Sequence, residues 1–249
     1  RLVEGVQAIV HCAGAVRGST AAHFDRVNVE GTANLVRAAA AQPVWPRFLL
    51  LSSLAARMPE LSWYAASKRR AEEATVRHGD AMPWTILRPT AVYGPGDREM
   101  LGLFRAMQHG VLPVPGSPAA RVTLLHVSDL VEAILRWARA PVPPRGLFEI
   151  HDGTPDGYAW STLTGIAEQA WGRPVRRLPI PGPVLHGIAW ANLGLAVLMR
   201  YDPMLSPGKA RELRHADWRC DNGPLTEVLD WSPRVTLLES LRRDYSMAA

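Results

Sequence analysis

Apolar positions come in short runs, separated by stretches in which they recur every three or four residues. "VQAIVHCAG" (6–14) is a compact apolar run ending in small residues, which predicts a buried strand and a turn. In "TAAHFDRVNVEGTANLVRAAAAQ" (20–42), apolar side chains return at Phe24, Val27, Leu35 and Val36. That spacing and the alanine run predict a helix stopped by Pro43. "RFLLLSS" (47–53) predicts a second buried strand, and "SWYAASKRRAEEATVRHG" (62–79) a second helix with Ser62 as N-cap and Gly79 past its end. "PWTILRPTAVYGPGD" (83–97) predicts a third strand running into a Gly/Pro loop.

Strand, helix, strand, helix, strand is the rhythm of a parallel sheet, and strands apolar on both faces imply helices on both sides. The expected class is α/β, doubly wound and Rossmann-like. Ligands of such sheets sit at the carboxyl ends of the strands. Those ends carry Ala13–Gly14, Ser52–Ser53 and Pro89–Thr90. Beyond residue 98 the pattern changes: a helix over 99–110, a short strand and helix over 121–140 capped near Ser128 or Asp129, then a proline-rich link. The expected division is 1–140 for the dinucleotide-binding part, with 99–120 contributing to the substrate side, and 141–249 for a smaller substrate domain.

Composition narrows the class without naming a reaction. The 249 residues are 47% hydrophobic and 20% charged, enough for a sizeable core and unlike a disordered chain. Net charge is +5, but arginines are scattered and no basic run appears, which argues against a nucleic-acid partner. Two cysteines, Cys12 and Cys220, make no disulfide framework, so a reduced cytoplasmic setting is expected. The eight histidines show no metal-ligand spacing, and no metal is expected. No Gly-x-Ser-x-Gly elbow points to a hydrolase.

Candidate chemistry sits in "LSWYAASKRRAEE" (61–73). Residues four apart share a helix face, so Tyr64 and Lys68 point the same way. An ammonium beside a phenol favours the phenolate. A tyrosine tuned in this way can give a proton to a carbonyl oxygen, or take one from an alcohol, while hydride moves at carbon. Ser53, at the end of the preceding strand, can hydrogen-bond the same oxygen. A packed aromatic with a solvated lysine is the competing account of the same spacing.

The surrounding order resembles the extended short-chain dehydrogenase/reductase family, the NAD(P)-dependent epimerase/dehydratase group. "IVHCAG", "VNVEGTANLVRAA", "LLLSSLAA", "YAASKRRAE", "LRPTAVYGPGD" and "LLHVSDLVEAIL" follow one another as that family's segments do, over about residues 6 to 140. The resemblance implies Tyr64 as acid/base, Lys68 as pKa tuner and ribose anchor, and Ser53 as the substrate-orienting hydroxyl. It implies that Cys12, Ala13 and Gly14 line the adenosine side. Asn28 would make a structural or cofactor contact, and Pro89, Thr90 and Val92 would lie near the nicotinamide. NAD or NADP is the implied cofactor. The family's opening glycine-rich turn is missing from this sequence, and a sequence truncated at its N-terminus, lacking the first βαβ part, is the expected explanation.

Two departures bear on the substrate. Sugar-nucleotide members of the family place Asn where this chain has Ala91 and Arg where it has Val122. A small, weakly polar carbonyl or alcohol is therefore expected over a nucleotide sugar. A nucleotide-sugar epimerase/dehydratase and a non-catalytic dinucleotide-binding assembly protein are the alternatives. The apolar stretch from Val184 to Met199 is short for a membrane span and is expected to be an ordinary packed helix. A peripheral membrane contact through 184–200 and a homodimer are left open. His126 is read as a cleft residue or a core residue, Asp129 as a cap, and Trp218 and Trp231 as core.

Overall fold

The structure is a computed structural model that describes residues 2–245. In chain order it begins with β1 (Ala8–His11), α1 (Ala21–Phe24), one π-helical turn (Asp25–Glu30) and α2 (Gly31–Ala40). Next come β2 (Arg47–Leu51), a 3-10 turn (Leu54–Arg57), α3 (Trp63–His78), β3 (Trp84–Pro89) and β4 (Ala91–Tyr93). Then follow α4 (Leu101–Gln108), β5 (Val111–Val114), β6 (Arg121–Val122), β7 (Leu124–His126), α5 (Val127–Arg139) and β8 (Gly146–Ile150). The remainder is β9 (Tyr158–Ala159), α6 (Trp160–Trp171), β10 (Arg176–Pro179), α7 (Gly182–Met199), α8 (Pro207–Arg214), α9 (Gly223–Leu229) and α10 (Leu237–Asp244).

Two compact units result, each drawing on three separated segments: 1–88, 136–149 and 186–212 in the first, 89–135, 150–185 and 213–249 in the second. Such interleaving differs from a single cut at residue 140, because β8 returns to the first sheet after a long excursion.

The first unit is built on a sheet of order β1-β2-β3-β8. β1 and β2 run parallel in register Ala8↔Arg47 to His11↔Leu50, and β2 and β3 run parallel from Phe48↔Trp84 to Leu51↔Leu87. Side chains alternate across a strand, so Phe48 and Leu50 face one way, against Val36 and Ala39 of α2 and Ala71 of α3. On the opposite face Trp137, in the last turns of α5, donates from its indole nitrogen to Thr85 Oγ1 at 2.8 Å. Helices thus cover both faces of β2 and β3, as their apolar side chains foretell, whereas β1, expected to be buried, is an edge strand with Ala8 and Val10 exposed. Arg47 also donates to the carbonyls of Trp137, Ala138 and Ala140, satisfying orphan acceptors at that helix end.

The second unit holds three two-stranded pairs, β4 with β7, β5 with β10 and β6 with β9, around a core that includes Tyr93, Phe104, Leu124, Trp160 and Leu241.

Four expectations meet corrections. The helix expected over 20–42 is interrupted by the π turn at 25–30, which leaves Asn28 buried and facing Ala15. Asp129 is no cap: its carboxylate accepts from the backbone N–H groups of Arg234 and Val235. Trp231 is buried, but Trp218 is only half-buried, its ring 4.6 Å from that of His215. The stretch 184–199 is helical yet mostly exposed, so it is not an ordinary packed helix.

Candidate active site

In the first unit, the carboxyl ends of β1 and β2 and the N-terminal turns of α3 supply the candidate side chains. Cys12, Ala13 and Gly14 follow β1 and are exposed. Beyond β2 the backbone turns at Ser52 and Ser53. Ser52 points inward and is buried, whereas half-buried Ser53 caps the 3-10 turn, its Oγ accepting from Ala55 N at 3.2 Å. Ser62 caps α3, accepting from Ala65 N at 2.9 Å. Tyr64 and Lys68 then sit one turn apart on that helix.

Lys68 is buried, and its Nζ donates to Leu51 O at 3.0 Å, at the end of β2. A Cβ placed on Gly14 would lie 3.1 Å from that Nζ and 3.1 Å from Asn28 Oδ1, so the three positions converge. Asn28 is held from three sides. Its Oδ1 accepts from Ala15 N at 2.7 Å, and its Nδ2 donates to Ala15 O at 3.0 Å and to Ser67 Oγ at 2.8 Å. Ser67 in turn donates to Tyr64 O at 2.8 Å. Asn28 therefore pins the loop after β1 to the start of α3.

Burial lowers the Lys68 pKa to about 8, while the Glu72 carboxylate one turn further along α3 and Cys12 hold it up. Burial, and then Lys68, also lower the pKa of His11, whose Nε2 lies 3.0 Å from Thr32 Oγ1.

Beneath the lysine lies a buried polar network that the sequence did not reveal. Arg88 on β3 grips both oxygens of Glu72, Nε to Oε1 at 2.8 Å and Nη2 to Oε2 at 2.6 Å, and Ser52 donates to Oε1 at 2.5 Å. Arg88 also faces Glu149 at 3.7 Å, and Glu149 faces Arg57 at 3.5 Å. Such a bidentate pair fixes geometry as well as charge. Glu72 stands four residues after Lys68, a spacing visible in the sequence, but its partner on β3 was not.

Tyr64 lines a cavity of about 110 Å³ within this unit. Phe24, Trp63, Trp190, Leu193 and Met204 form apolar walls, and the rings of Phe24 and Tyr64 are 6.2 Å apart. Ser62 and Glu212 form a polar corner. The Ser62 hydroxyl donates to Glu212, whose other oxygen accepts from Lys209 Nζ at 2.9 Å. Ser62 thus serves both as helix cap and as cavity wall.

Pro89 closes β3, and Thr90 and Val92 belong to the second unit. Thr90 N donates to Ile150 O at 3.2 Å, but its side-chain oxygen is buried with no hydrogen-bond partner among the described residues. Val92 is half-buried on β4, opposite Leu125. His126 is a core residue: buried, with Nδ1 2.6 Å from Ser128 Oγ and Nε2 3.2 Å from Asp244.

Comparison with known proteins yields concordant matches. The sequence profile of the NAD dependent epimerase/dehydratase family matches residues 1–150. A ceramide reductase from Caulobacter vibrioides is 42% identical over 233 residues, covering 91% of this chain and 70% of that protein. The UDP-glucuronic acid 4-epimerase from Bacillus cereus, solved with UDP-glucuronic acid and NAD, superposes with a TM-score of 0.74 at 16% identity, over 98% of this chain and 76% of that one. RMD from Pseudomonas aeruginosa, complexed with NADPH, superposes with a TM-score of 0.68 at 20% identity, over 96% of this chain and 79% of that one.

Proposed function

The chain belongs to the NAD dependent epimerase/dehydratase family, and from that premise we propose that it reduces a ketone carbonyl on a long-chain, ceramide-type lipid. It is an NAD(P)-dependent enzyme of the extended short-chain dehydrogenase/reductase type.

One observation carries the choice of substrate: the cavity at Tyr64 is walled by Phe24, Trp63, Trp190, Leu193 and Met204. Apolar walls beside a polar side of Ser62, Ser206, Lys209, Arg211 and Glu212 suit an acyl chain joined to a polar group. Ala91 and Val122 support the same reading, since the sugar-nucleotide members of the family carry Asn and Arg there. The relative that shares 42% identity is itself a ceramide reductase.

Residues present in the first unit fit the nicotinamide half of the cofactor. Gly14 leaves open the space that a Cβ would fill beside Lys68 and Asn28, where the Lys68 ammonium would meet the ribose hydroxyls. When bound there, the reduced nicotinamide would supply a hydride for the carbonyl carbon. The Tyr64 hydroxyl gives its proton to the carbonyl oxygen, so C=O becomes CH–OH. Lys68, charged below its pKa, favours the phenolate left on Tyr64. The Ser53 hydroxyl holds the carbonyl oxygen toward Tyr64. Glu72, locked by Arg88 and Ser52, favours the charged form of the lysine.

Turnover tests this assignment. The protein should oxidise NADH or NADPH when given a ketone-bearing long-chain N-acyl amide in mixed micelles. Tyr64→Phe should slow kcat on the order of a hundredfold or more, without weakening cofactor binding. Wild-type turnover in Tyr64→Phe, or turnover of UDP-glucose in place of the lipid, overturns it.

A further inference from the structure

We propose that α7, together with the mouth of the Tyr64 cavity, is a membrane-docking surface that seats in the headgroup region of an anionic bilayer. Helices on a water-facing surface carry polar residues on their outer side. α7 does not: Gly182–Met199 contains no Asp, Glu, Lys or Arg, and its mean hydropathy is 1.4. Only a narrow stripe of it, including Ala189, Leu193 and Ala196, is buried. Elsewhere it offers Ile188, Trp190, Val197, Leu198 and Met199 to solvent, with Trp190 63%, Leu198 80% and Met199 65% exposed. A contiguous patch of this kind marks an interaction site.

A bilayer fits better than a span or a polar partner. Eighteen residues rise about 27 Å, short of the ~30 Å hydrocarbon core, and the buried stripe ties the helix to the protein along its length. An interfacial seat of shallow depth remains. Charge points the same way. Exposed Arg200 follows the helix directly and Arg211 lies exposed at the cavity, whereas Asp202 is the sole exposed carboxylate between 186 and 212. The chain as a whole carries +5. Basic residues at the rim of an apolar surface favour anionic headgroups.

Continuity with the candidate site gives the surface a purpose. Trp190 belongs to the exposed face and also lines the cavity with Tyr64. Val16 and Trp63, which line it too, are themselves exposed apolar residues. A lipid could pass from the bilayer to Tyr64 along apolar side chains throughout. This last step rests on the reductase reading; the docking surface itself rests on α7 alone.

Flotation with vesicles tests it. The chain should float with vesicles of phosphatidylcholine and phosphatidylglycerol, and less with phosphatidylcholine alone. Val197→Glu with Leu198→Glu should lower partitioning about tenfold or more, because two exposed apolar side chains that would enter the bilayer are lost. Val142→Glu, at an equally exposed apolar site on a loop, should float like the wild type. Should the double Glu variant lose its cooperative unfolding transition, Val197→Ser with Leu198→Ser gives the same reading. No flotation of the wild type, or equal flotation of the double variant, overturns the inference. So does a wild-type dimer that the double variant turns into a monomer while neither binds vesicles, since a second copy would then cover α7. Vesicle binding needs no turnover: a chain that floats but does not oxidise NAD(P)H refutes only the reductase reading.

Discussion

A Cβ on Gly14 would come within 3.1 Å of the Nζ of Lys68. Gly14 has no left-handed backbone requirement, so alanine is strained there through this contact and through an equal 3.1 Å approach to Asn28 Oδ1. The ammonium is the end of a flexible chain and would give by a few tenths of an ångström. Asn28 is held by three hydrogen bonds and yields less freely, so Gly14→Ala should lower the melting temperature modestly while lowering kcat by about tenfold, since a small misplacement of a catalytic group is costly. Stopped-flow hydride transfer and a thermal melt on the same preparation check both halves.

Lys68 links stability to pH in a direction of its own. Its ordinary pKa is 10.5, and burial brings the folded value to about 8. Between these values the unfolded chain binds a proton that the folded chain does not, so folding gains stability as pH rises through this window. Below about 8 the fold bears the full cost of the buried charge. Lys68→Met removes that cost. Its stability relative to wild type should be highest near pH 7, and the difference should shrink by roughly 3 kcal/mol by pH 10.5. Denaturant titrations at the two pH values measure this. Turnover of Lys68→Met should be lost at every pH, and wild-type kcat should fall as pH rises past about 8.

Glu72→Gln should act on the same lysine from below. The carboxylate holds the Lys68 pKa up, so its loss moves the alkaline limb of the kcat/KM profile to lower pH. Among the described residues it also leaves Arg88 buried with only Glu149, at 3.7 Å, as a charge partner. Breaking a buried pair from one side costs roughly 3–5 kcal/mol. A pH profile that keeps its limb would separate Glu72 from the lysine.

Two glycines should respond in opposite directions to alanine. At Gly208 a Cβ would lie 2.7 Å from Ser62 Cβ and 3.0 Å from its Cα, so the cap of α3 must move. Gly208→Ala should cost about 1–3 kcal/mol and reduce turnover, because Tyr64 rides on that helix. Gly194, inside α7, has nothing within 4 Å of its Cβ position. Gly194→Ala should stabilise the fold by up to about 1 kcal/mol with activity unchanged. Chemical denaturation of both variants provides the comparison.

Local pattern and local chemistry were legible along the chain. The runs at 47–53 and 83–97 became β2 and β3, with β4 following, because fully buried strands need apolar side chains on both faces, whereas the run at 6–14 became β1, a strand at the sheet's edge that leaves Ala8 and Val10 exposed. Ser62 as cap and the Tyr64–Lys68 spacing on α3 followed from helix geometry alone. Asn28, Glu72 and Arg88 show where such reading stops. Asn28 reaches Ala15 only because a π turn rotates it inward, and no spacing rule announces that turn. Arg88 and Glu72 are sixteen residues apart on different elements, and only the packing of α3 against the sheet brings them together.

The stretch 184–199 marks the same boundary from the other side. Its sequence determined that it would be a helix and that the helix would be apolar, since both depend on neighbouring residues. Whether those side chains would be covered depends on what the rest of the chain lays against them. Tertiary structure covered one stripe, beside Tyr64, and left the remaining faces open. Periodicity acts within a segment, whereas burial and hydrogen-bond partnership are settled by segments distant in sequence. That is why the Tyr64–Lys68 spacing could be read from its own helix, while the Glu72–Arg88 network and the surface beside them could not.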